Sequence, residues 1–402
     1  MKESSLLRVS LLVCLSAPSL AAQTFIPHPP KPPRYVVLDV RRISILRQEL
    51  TLTAMQGYRA AFVAPRPGGS LLPAGMTIIL ERLESGVAAP EYLIVEDGNG
   101  FVCDRLLSSA NTGFRYVRNS AFEHRGHDFW GDFFSTMVWG GKHVDHTKYD
   151  AITGYMLLEK ARSPEAPCAY LFQHADSGKG FRTTRTYLAG GFHVVGDLNE
   201  NLFLERCSST ASPARGSADE KVSDELIEKY RFIATNDAKK RQKELAEAVV
   251  KGFHLSHTNG KWIALSAGSS TDAKPNYRVL AAKTEPELER QLNSSRGFRV
   301  VPDSLVRKNN FWNGVEYQIV QEEDPERGPS YRYKVLREKN GQDLQDRINL
   351  AVEKGYKVRE MRRDAMGITV ILERVAEPMP LPGQLEQIPE RSPEKLELPE
   401  EL

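Results

Sequence analysis

Six glycine–aromatic pairs are spaced along the chain, and this repetition constrains the fold more than any other feature. The pairs begin at Gly57, Gly113, Gly191, Gly252, Gly297 and Gly355. A tyrosine that opens a short apolar run precedes each glycine by 20 to 22 residues, at Tyr35, Tyr92, Tyr170, Tyr230, Tyr277 and Tyr333. Self-similarity at a fixed period is typical of repeat architectures. The spacing therefore predicts six tandem copies of one small unit.

The residues within one copy predict a strand, a helix and two further strands. Runs such as YVVLDV and YKVLRE are β-branched or aromatic and have the length of a strand. In the sixth copy Leu344, Ile348 and Ala351 recur at helical spacing. Gly355 then supplies the left-handed residue that ends a helix. The predicted fold class is α+β, built from six tandem β-α-β-β repeats.

Topology rules predict the order of the strands in each repeat. A right-handed crossover makes the first and second strands parallel, and a hairpin makes the third antiparallel to the second. If the third strand lies between the other two, all three pair and the helix covers one face. We therefore expect three-stranded mixed sheets of order 1-3-2, each covered by one helix.

The cysteines of the third copy fit this strand order. The start of the first strand lies beside the end of the third, and Cys168 and Cys207 occupy these two places in the sequence. The expected disulfide joins Cys168 to Cys207, and the alternative is a pair of free thiols. A disulfide is typical of oxidising compartments outside the cytosol.

Residues 1–22 have the pattern of a secretory signal peptide. A Lys- and Arg-bearing start, an apolar run from Leu6 to Leu15 and a small-residue exit follow one another. The sequence therefore predicts an exported protein, periplasmic or extracellular. No later run reaches the roughly 20 apolar residues of a transmembrane helix, so no transmembrane segment is expected. A net charge of +2 gives no electrostatic reason to expect nucleic acid as a partner.

Clusters of Pro, Gly and Ser divide the rest of the chain. The predicted segments are a Pro-rich linker (23–33), repeats 1 to 3 (34–83, 91–161 and 168–207), a linker (208–224), repeats 4 to 6 (229–267, 276–322 and 331–375) and a disordered Pro- and Glu-rich tail (376–402). The long linker separates two halves of three repeats each. Repeat 2 carries a long hairpin insertion at 118–150.

The repeat resembles a small bacterial β-α-β-β domain of unknown function. The resemblance rests in the sixth copy on Tyr333, Leu344, Ile348, the pair Gly355-Tyr356 and the run Ile371 to Arg374. It implies the architecture and no activity. The strand, helix and Gly-aromatic order is also similar, more weakly, to the sporulation-related repeats that bind peptidoglycan.

The insertion of repeat 2 is the place where a metal site is conceivable. Its candidate ligands are His124, His127, Asp128, His143 and His146. Imidazole and carboxylate groups are ligands that zinc prefers. The two His-x-x-His pairs lack the helix-borne Glu of the zinc-protease motif. A zinc-binding protein or metal-dependent hydrolase is therefore the second hypothesis.

The same insertion is rich in aromatic residues, and this supports the first hypothesis. These residues are Phe129, Trp130, Phe133, Phe134 and Trp139. Exposed aromatic side chains stack on sugars and clamp protein partners, although they also pack on a sheet in many folds. No catalytic motif occurs elsewhere in the chain. The sequence predicts a non-enzymatic binding protein for a protein or glycan partner.

Two further patterns are expected to be structural. His254 and His257 repeat the His-x-x-His spacing, and we expect them on a solvated hairpin. Acidic–basic pairs close several third strands, as at Glu81-Arg82 and Glu373-Arg374. We expect these pairs to form salt bridges at the strand exits.

Overall fold

The structure is a computed structural model that describes fourteen stretches of the chain. They are residues 32–66, 75–97, 112–125, 152–160, 168–174, 178–198, 201–207, 222–235, 237–258, 262–268, 274–295, 297–310, 314–323 and 330–376. The predicted signal peptide, most of both predicted linkers and nearly all of the predicted tail lie outside these residues.

Twenty strands and six helices are described. The strands of the first half are β1 (Tyr35–Val40), β2 (Tyr58–Arg66), β3 (Gly75–Arg82), β4 (Tyr92–Asp97), β5 (Phe114–Tyr116), β6 (Phe122–Arg125), β7 (Ile152–Lys160), β8 (Cys168–His174), β9 (His193–Leu198) and β10 (Asn201–Cys207). Those of the second half are β11 (Tyr230–Ile233), β12 (Phe253–Thr258), β13 (Ile263–Ala267), β14 (Tyr277–Ala282), β15 (Phe298–Val300), β16 (Val306–Asn310), β17 (Gly314–Glu323), β18 (Tyr331–Glu338), β19 (Lys357–Asp364) and β20 (Gly367–Val375). The helices are α1 (Ile43–Met55), α2 (Gly178–Ala189), α3 (Asp224–Ile227), α4 (Ala238–Val250), α5 (Glu285–Ser294) and α6 (Gly341–Val352).

The strands form six separate sheets, and each has the predicted order. The sheets are β1-β3-β2, β4-β7-β5, β8-β10-β9, β11-β13-β12, β14-β17-β15 and β18-β20-β19, and β6 and β16 add short ladders to β7 and β17. We number them first to sixth along the chain. The order 1-3-2 is confirmed, but the expectation of mixed sheets was wrong. Every described ladder is antiparallel, because the parallel strands never pair with each other.

In five of the sheets a helix lies between the first and second strands, and the sequence explains where it ends. The six glycines of the repeated pair have φ between +74° and +88°, a region that side chains with a Cβ rarely adopt. In the five sheets whose helix is described, the chain turns from helix to strand at this glycine, as predicted. In the second sheet the corresponding residues, 98–111, lie outside the described stretches.

Five of the six described helices pack between two sheets, their own and the next one along the chain; the exception is the short α3. Helix α1 contacts β4 of the second sheet, α2 contacts β11, α4 contacts β14 and α5 contacts β18. Helix α6 contacts β1 of the first sheet. Its apolar face, Leu344 and Ile348, shares one core with Val37 and Ile79. The second and third sheets share a core that includes Leu158 and Phe203. The contacts therefore close on themselves, and the six sheets form a ring.

Side-chain amides of α6 hold the seam of this ring. Asn349 accepts a hydrogen bond from the Tyr35 backbone N–H at 3.0 Å and donates to the Tyr35 carbonyl at 2.8 Å, and Gln345 accepts from the Val37 N–H at 2.9 Å. Strand β1 is an edge strand, so these backbone groups have no sheet partner. Unpaired edges are sites of aggregation. The helix therefore covers the edge of the next sheet.

The same contact recurs at other positions of the ring. On α5, Asn293 exchanges hydrogen bonds with the Tyr333 backbone at 2.8 and 3.0 Å. On α4, Gln242 donates to the Tyr277 carbonyl at 3.0 Å and accepts from the Val279 N–H at 2.7 Å. The seam between the sixth and first sheets is thus built like the junctions between consecutive sheets.

The repeated tyrosines also join neighbouring sheets, because most of their hydroxyls bond both to their own sheet and to the preceding one. The Tyr333 hydroxyl donates to Glu373 of its own sheet at 3.1 Å and accepts from the Val300 N–H of the fifth sheet at 3.2 Å. Burial raises the pKa of Tyr333, so the hydroxyl keeps the proton that it donates. Tyr35, Tyr92, Tyr170 and Tyr277 make the equivalent bonds. The fourth sheet departs from the pattern, since Ser266 lies opposite Tyr230.

The acidic residues at the strand exits form salt bridges, but with partners other than their chain neighbours. Glu81 pairs with Arg34 at 2.7 Å. Glu159 of the second sheet pairs with Arg59 of the first at 2.8 Å. The expectation of salt-bridged exits holds, and the bridges join neighbouring sheets as well as strands.

Candidate functional site

Two tight turns interrupt the second strand of the second and fifth sheets. Their sequences are Val-Arg-Asn-Ser at 117–120 and Val-Pro-Asp-Ser at 301–304. Asn119 has a φ of 59° and Asp303 a φ of 60°, and Asn and Asp tolerate this region best among residues with a Cβ. The serine that follows each of them, Ser120 or Ser304, bonds to the backbone of the central strand. The two turns have equivalent structures.

The turns meet although their sheets are not neighbours in the ring. Asn119 Nδ2 donates to Asp303 Oδ1 at 2.7 Å, and Arg118 Nη2 lies 2.9 Å from Asp303 Oδ2. The same Nη2 lies 2.6 Å from Nδ1 of His257 in the fourth sheet. The Asp303 N–H donates to the carboxylate of Glu360 in the sixth sheet. We name these five residues the central cluster, because they join four of the six sheets.

The electrostatics of the central cluster follow from burial. His257 is 6% exposed, and burial followed by the Arg118 cation lowers its pKa to about 3. Its Nδ1 accepts from Arg118, so the neutral ring carries its proton on Nε2. Glu360 is 3% exposed, and burial followed by the Asp303 carboxylate raises its pKa well above the usual value. The expectation that His257 lies on a solvated hairpin was wrong.

Glu360 makes stability depend on pH, and Glu360→Gln is expected to remove this dependence. A folded-state pKa above the usual 4.5 gives stability that is present below pH 4.5 and lost as the pH rises through the folded pKa. Glutamine keeps an acceptor for the Asp303 N–H and does not titrate. Urea unfolding from pH 4 to pH 8 should show the variant gaining stability relative to the parent as the pH rises. A constant difference across this range would contradict the assignment.

A cavity of about 530 Å³ lies between the first and second sheets and reaches the central cluster at Arg118. Its lining is Arg59, Ala60, Ala61, Val63, Arg115, Tyr116, Val117, Arg118, Glu159 and Lys160. Four of these residues are cationic and one, Glu159, is acidic. Arg59 pairs with Glu159 at 2.8 Å, Arg118 with Asp303 at 2.9 Å and Lys160 with Glu91 at 2.7 Å. Arg59, Arg118 and Lys160 are each about half exposed (50%, 48% and 48%), so a ligand in the cavity meets them directly. We name this site the basic cavity.

Strand β6 carries the chain from the turn at 117–120 into the insertion predicted from the sequence. Its four residues pair with β7, so that His124 lies opposite Thr153 and Arg125 opposite Ile152. Residues 118–125, predicted as part of the insertion, thus belong to the turn and the sheet. The other candidate ligands and all the candidate aromatics lie at 126–151, outside the described residues. The metal site and the aromatic surface stay predictions.

The predicted disulfide between Cys168 and Cys207 is confirmed. The two residues are opposite each other in the ladder of β8 and β10, with a Cα–Cα distance of 4.0 Å. With Glu205 they are the one described group whose metal-ligating atoms lie within 4.8 Å of one another. The sulfurs are bonded to each other and Glu205 accepts from the Tyr170 hydroxyl. This group is therefore a cross-link and not a metal site.

The comparisons with known proteins give no relative. Neither protein-family models nor curated proteins nor solved structures match the chain. Among the residues that the structure describes, no helix is long and apolar enough to cross a membrane. The fold defines an α+β protein of six antiparallel sheets, and a disulfide cross-links two strands of the third sheet.

Proposed function

We propose that the chain is an exported, non-enzymatic binding protein for a protein or glycan partner. In this proposal six tandem β-α-β-β units form a closed scaffold, and the partner binds at the basic cavity through anionic groups. The observation that carries the proposal is the lining of this cavity: four of its residues are cationic and one is acidic, and Arg59, Arg118 and Lys160 stay about half exposed beside their ion-pair partners. Arginine and lysine recognise carboxylate, sulfate and phosphate groups.

The surroundings of the basic cavity support binding rather than chemistry. Its carboxylate, Glu159, pairs with Arg59 at 2.8 Å, and its apolar lining is aliphatic apart from Tyr116. The cavity-lining segment 115–118 continues through β6 into 126–151, where the aromatic residues of the sequence occur. A partner that contacts both would combine ion pairs with aromatic stacking. Export is supported by the N-terminal pattern and by the disulfide.

A photo-crosslinking residue at position 61 tests this proposal. Ala61 lines the cavity and is exposed, so the substituted chain, produced in its own cell, should form a covalent adduct with the partner. The matched control is the same residue at Leu52, which is 51% exposed on α1. We expect an adduct from position 61 and none from position 52.

The second variant, Lys160→Gln, tests the role of charge. One lost ion pair in a half-exposed site contributes about 1 kcal/mol, so the adduct yield should fall about fivefold. Lys251→Gln, at an exposed position after α4, should leave the yield unchanged. Equal adduct yields from positions 52 and 61, or a yield that Lys160→Gln does not change, would contradict the proposal.

A further inference from the structure

The basic cavity has a counterpart on the sixth sheet. This second cavity has a volume of about 410 Å³ and is lined by Arg332, Lys354, Gly355, Arg374, Val375 and Ala376. Three of these residues are cationic and none is acidic. Arg332 is opposite Arg374 where β18 begins and β20 ends, and the Lys160 N–H donates to the Glu91 carbonyl at 2.8 Å where β4 begins and β7 ends. Both cavities therefore lie at strand ends of the same kind.

Hydrogen bonds between neighbouring sheets place these strand ends side by side around the ring. The Tyr35 hydroxyl of the first sheet accepts a hydrogen bond from the Val358 backbone of the sixth. The Tyr92 hydroxyl of the second sheet accepts from the Ala60 N–H of the first at 2.6 Å. The first sheet therefore lies between the two cavities.

The first sheet supplies cations that connect the two cavities. Arg34 precedes its first strand, Arg82 ends its third strand, and the Arg82 N–H donates to the Arg34 carbonyl at 2.9 Å. Like charges side by side in a sheet repel each other, so an anion beside them is stabilising. We name the cations at the strand ends of these three sheets the basic track. They are Arg332, Lys354 and Arg374 on the sixth sheet, Arg34, Arg59 and Arg82 on the first, and Arg115 and Lys160 on the second.

The carboxylates nearest to the basic track leave several of its cations unneutralised. Glu159 pairs with Arg59 and Glu373 with Arg299, each at 2.8 Å. Glu81 accepts from Arg34 at 2.7 Å. Four cations of the track are exposed and have no ion-pair partner among the residues that the structure describes: Arg82, Arg332, Lys354 and Arg374. An anion from outside the chain therefore meets free positive charge along the track.

The aromatic rings at these strand ends lie beside the cations. Arg374 lies 5.0 Å from the centroid of the Tyr356 ring, and Lys160 lies 5.8 Å from that of Phe114. Proteins bind single-stranded nucleic acid with exposed aromatic side chains on which the bases stack, and here cations cover the rings. The track therefore recognises negative charge, as Lys- and Arg-rich patches that bind heparin do.

The length of the track favours a polymer over a small anion. Packed sheets lie about 10 Å apart, so the track extends over about 20 Å from the sixth sheet to the second. A small anion fills one cavity. A linear chain of anionic groups reaches both cavities, and the linkage between its groups raises their effective concentration at the second cavity.

We propose that the basic track binds a linear acidic polysaccharide whose sulfate and carboxylate groups lie along the sixth, first and second sheets. The inference rests on the proposed function at one end, because the basic cavity is part of the track. It adds the class of the partner and the cations outside the basic cavity that hold it.

A length series of heparin oligosaccharides, titrated into the full-length chain, tests this inference. Each ion pair outside the basic cavity contributes up to about fivefold in affinity, so chains longer than the track should bind at least about tenfold more tightly than a disaccharide. Arg332→Gln/Arg374→Gln should reduce this gain to about threefold or less at an unchanged melting temperature. The matched control Lys239→Gln/Lys243→Gln, on exposed positions of α4, should keep the full gain.

Lys160→Gln separates the inference from the proposed function, and we expect it to weaken the binding of long oligosaccharides about fivefold. If it does so while the arginine double variant keeps the full gain with length, the basic cavity binds an anion and the track is wrong. A parent that binds all lengths equally, or does not bind heparin, would also overturn the inference and leave the crosslinking test at position 61 standing. Single-stranded DNA of equal charge that binds more tightly than heparin would overturn the assignment to a polysaccharide.

Discussion

Gly341→Val is expected to destabilise the protein by about 2 to 3 kcal/mol by forcing the ring seam apart. A Cβ at Gly341 would lie 2.8 Å from the Asp39 Cβ and 3.2 Å from Val37 Cγ1. Neither neighbour is the far end of a flexible side chain. Overpacking at such a point costs about 1 to 3 kcal/mol, and the clash is with the Cβ itself, so no rotamer of valine relieves it.

The destabilisation should appear as local opening of the seam before it appears as global unfolding. Hydrogen exchange of the Tyr35 and Val37 amides, which bond to α6, should accelerate more than that of amides in the third and fourth sheets. The control is Gly190→Val at the end of α2, where a Cβ would meet its nearest neighbour at 3.4 Å and should cost less than 1 kcal/mol. Equal urea midpoints for the two variants would show that the seam does not carry the closure of the ring.

The local unit was predictable because its signals are short-range. Each copy contains all of these signals: a glycine with positive φ, an aromatic residue after it and a tyrosine about 21 residues before it. The strand order followed from topology rules, and with it the Cys168–Cys207 pairing. The expectation of mixed sheets was wrong because the two parallel strands of each sheet lie on either side of the third strand and form no ladder with each other.

The ring itself was not predictable from these patterns. Its seam joins Asn349 to Tyr35 across 314 residues, and amide side chains on a helix are ordinary surface residues in a sequence. Gln242 and Gln345 each follow the tyrosine of their copy by 12 residues, and Asn293 and Asn349 each follow theirs by 16, but this recurrence alone does not say what the amides contact. The information lies in the register between a helix and the next sheet, which pattern analysis within one copy does not contain.

One signal of the central cluster is present in the sequence. Val-x-(Asn or Asp)-Ser begins four residues after the glycine in the second and fifth copies, at Val117 and Val301. An Asn or Asp that precedes Ser inside a strand pattern is typical of a turn. The spacing of His254 and His257 led to the expectation of a solvated hairpin. His257 is instead a neutral acceptor for Arg118.

Asp303→Ala is expected to destabilise the protein by about 2 to 3 kcal/mol through the central cluster. Asp303 accepts from Asn119 and Arg118, and Arg118 is about half exposed, so each bond contributes only about 1 kcal/mol. Alanine at a φ of 60° adds about 1 kcal/mol of backbone strain. The loss should appear as a lower urea midpoint at neutral pH.

Asp303→Asn separates these causes, because asparagine tolerates the left-handed backbone and keeps an acceptor for Asn119. It should cost about 1 kcal/mol or less. A double-mutant cycle of Asp303→Ala with Asn119→Ala measures whether the two turns interact across the ring, and we expect a coupling energy of about 1 kcal/mol. Additive effects within about 0.3 kcal/mol would mean that the turns fold independently. The second and fifth sheets would then be joined only through their neighbours in the ring.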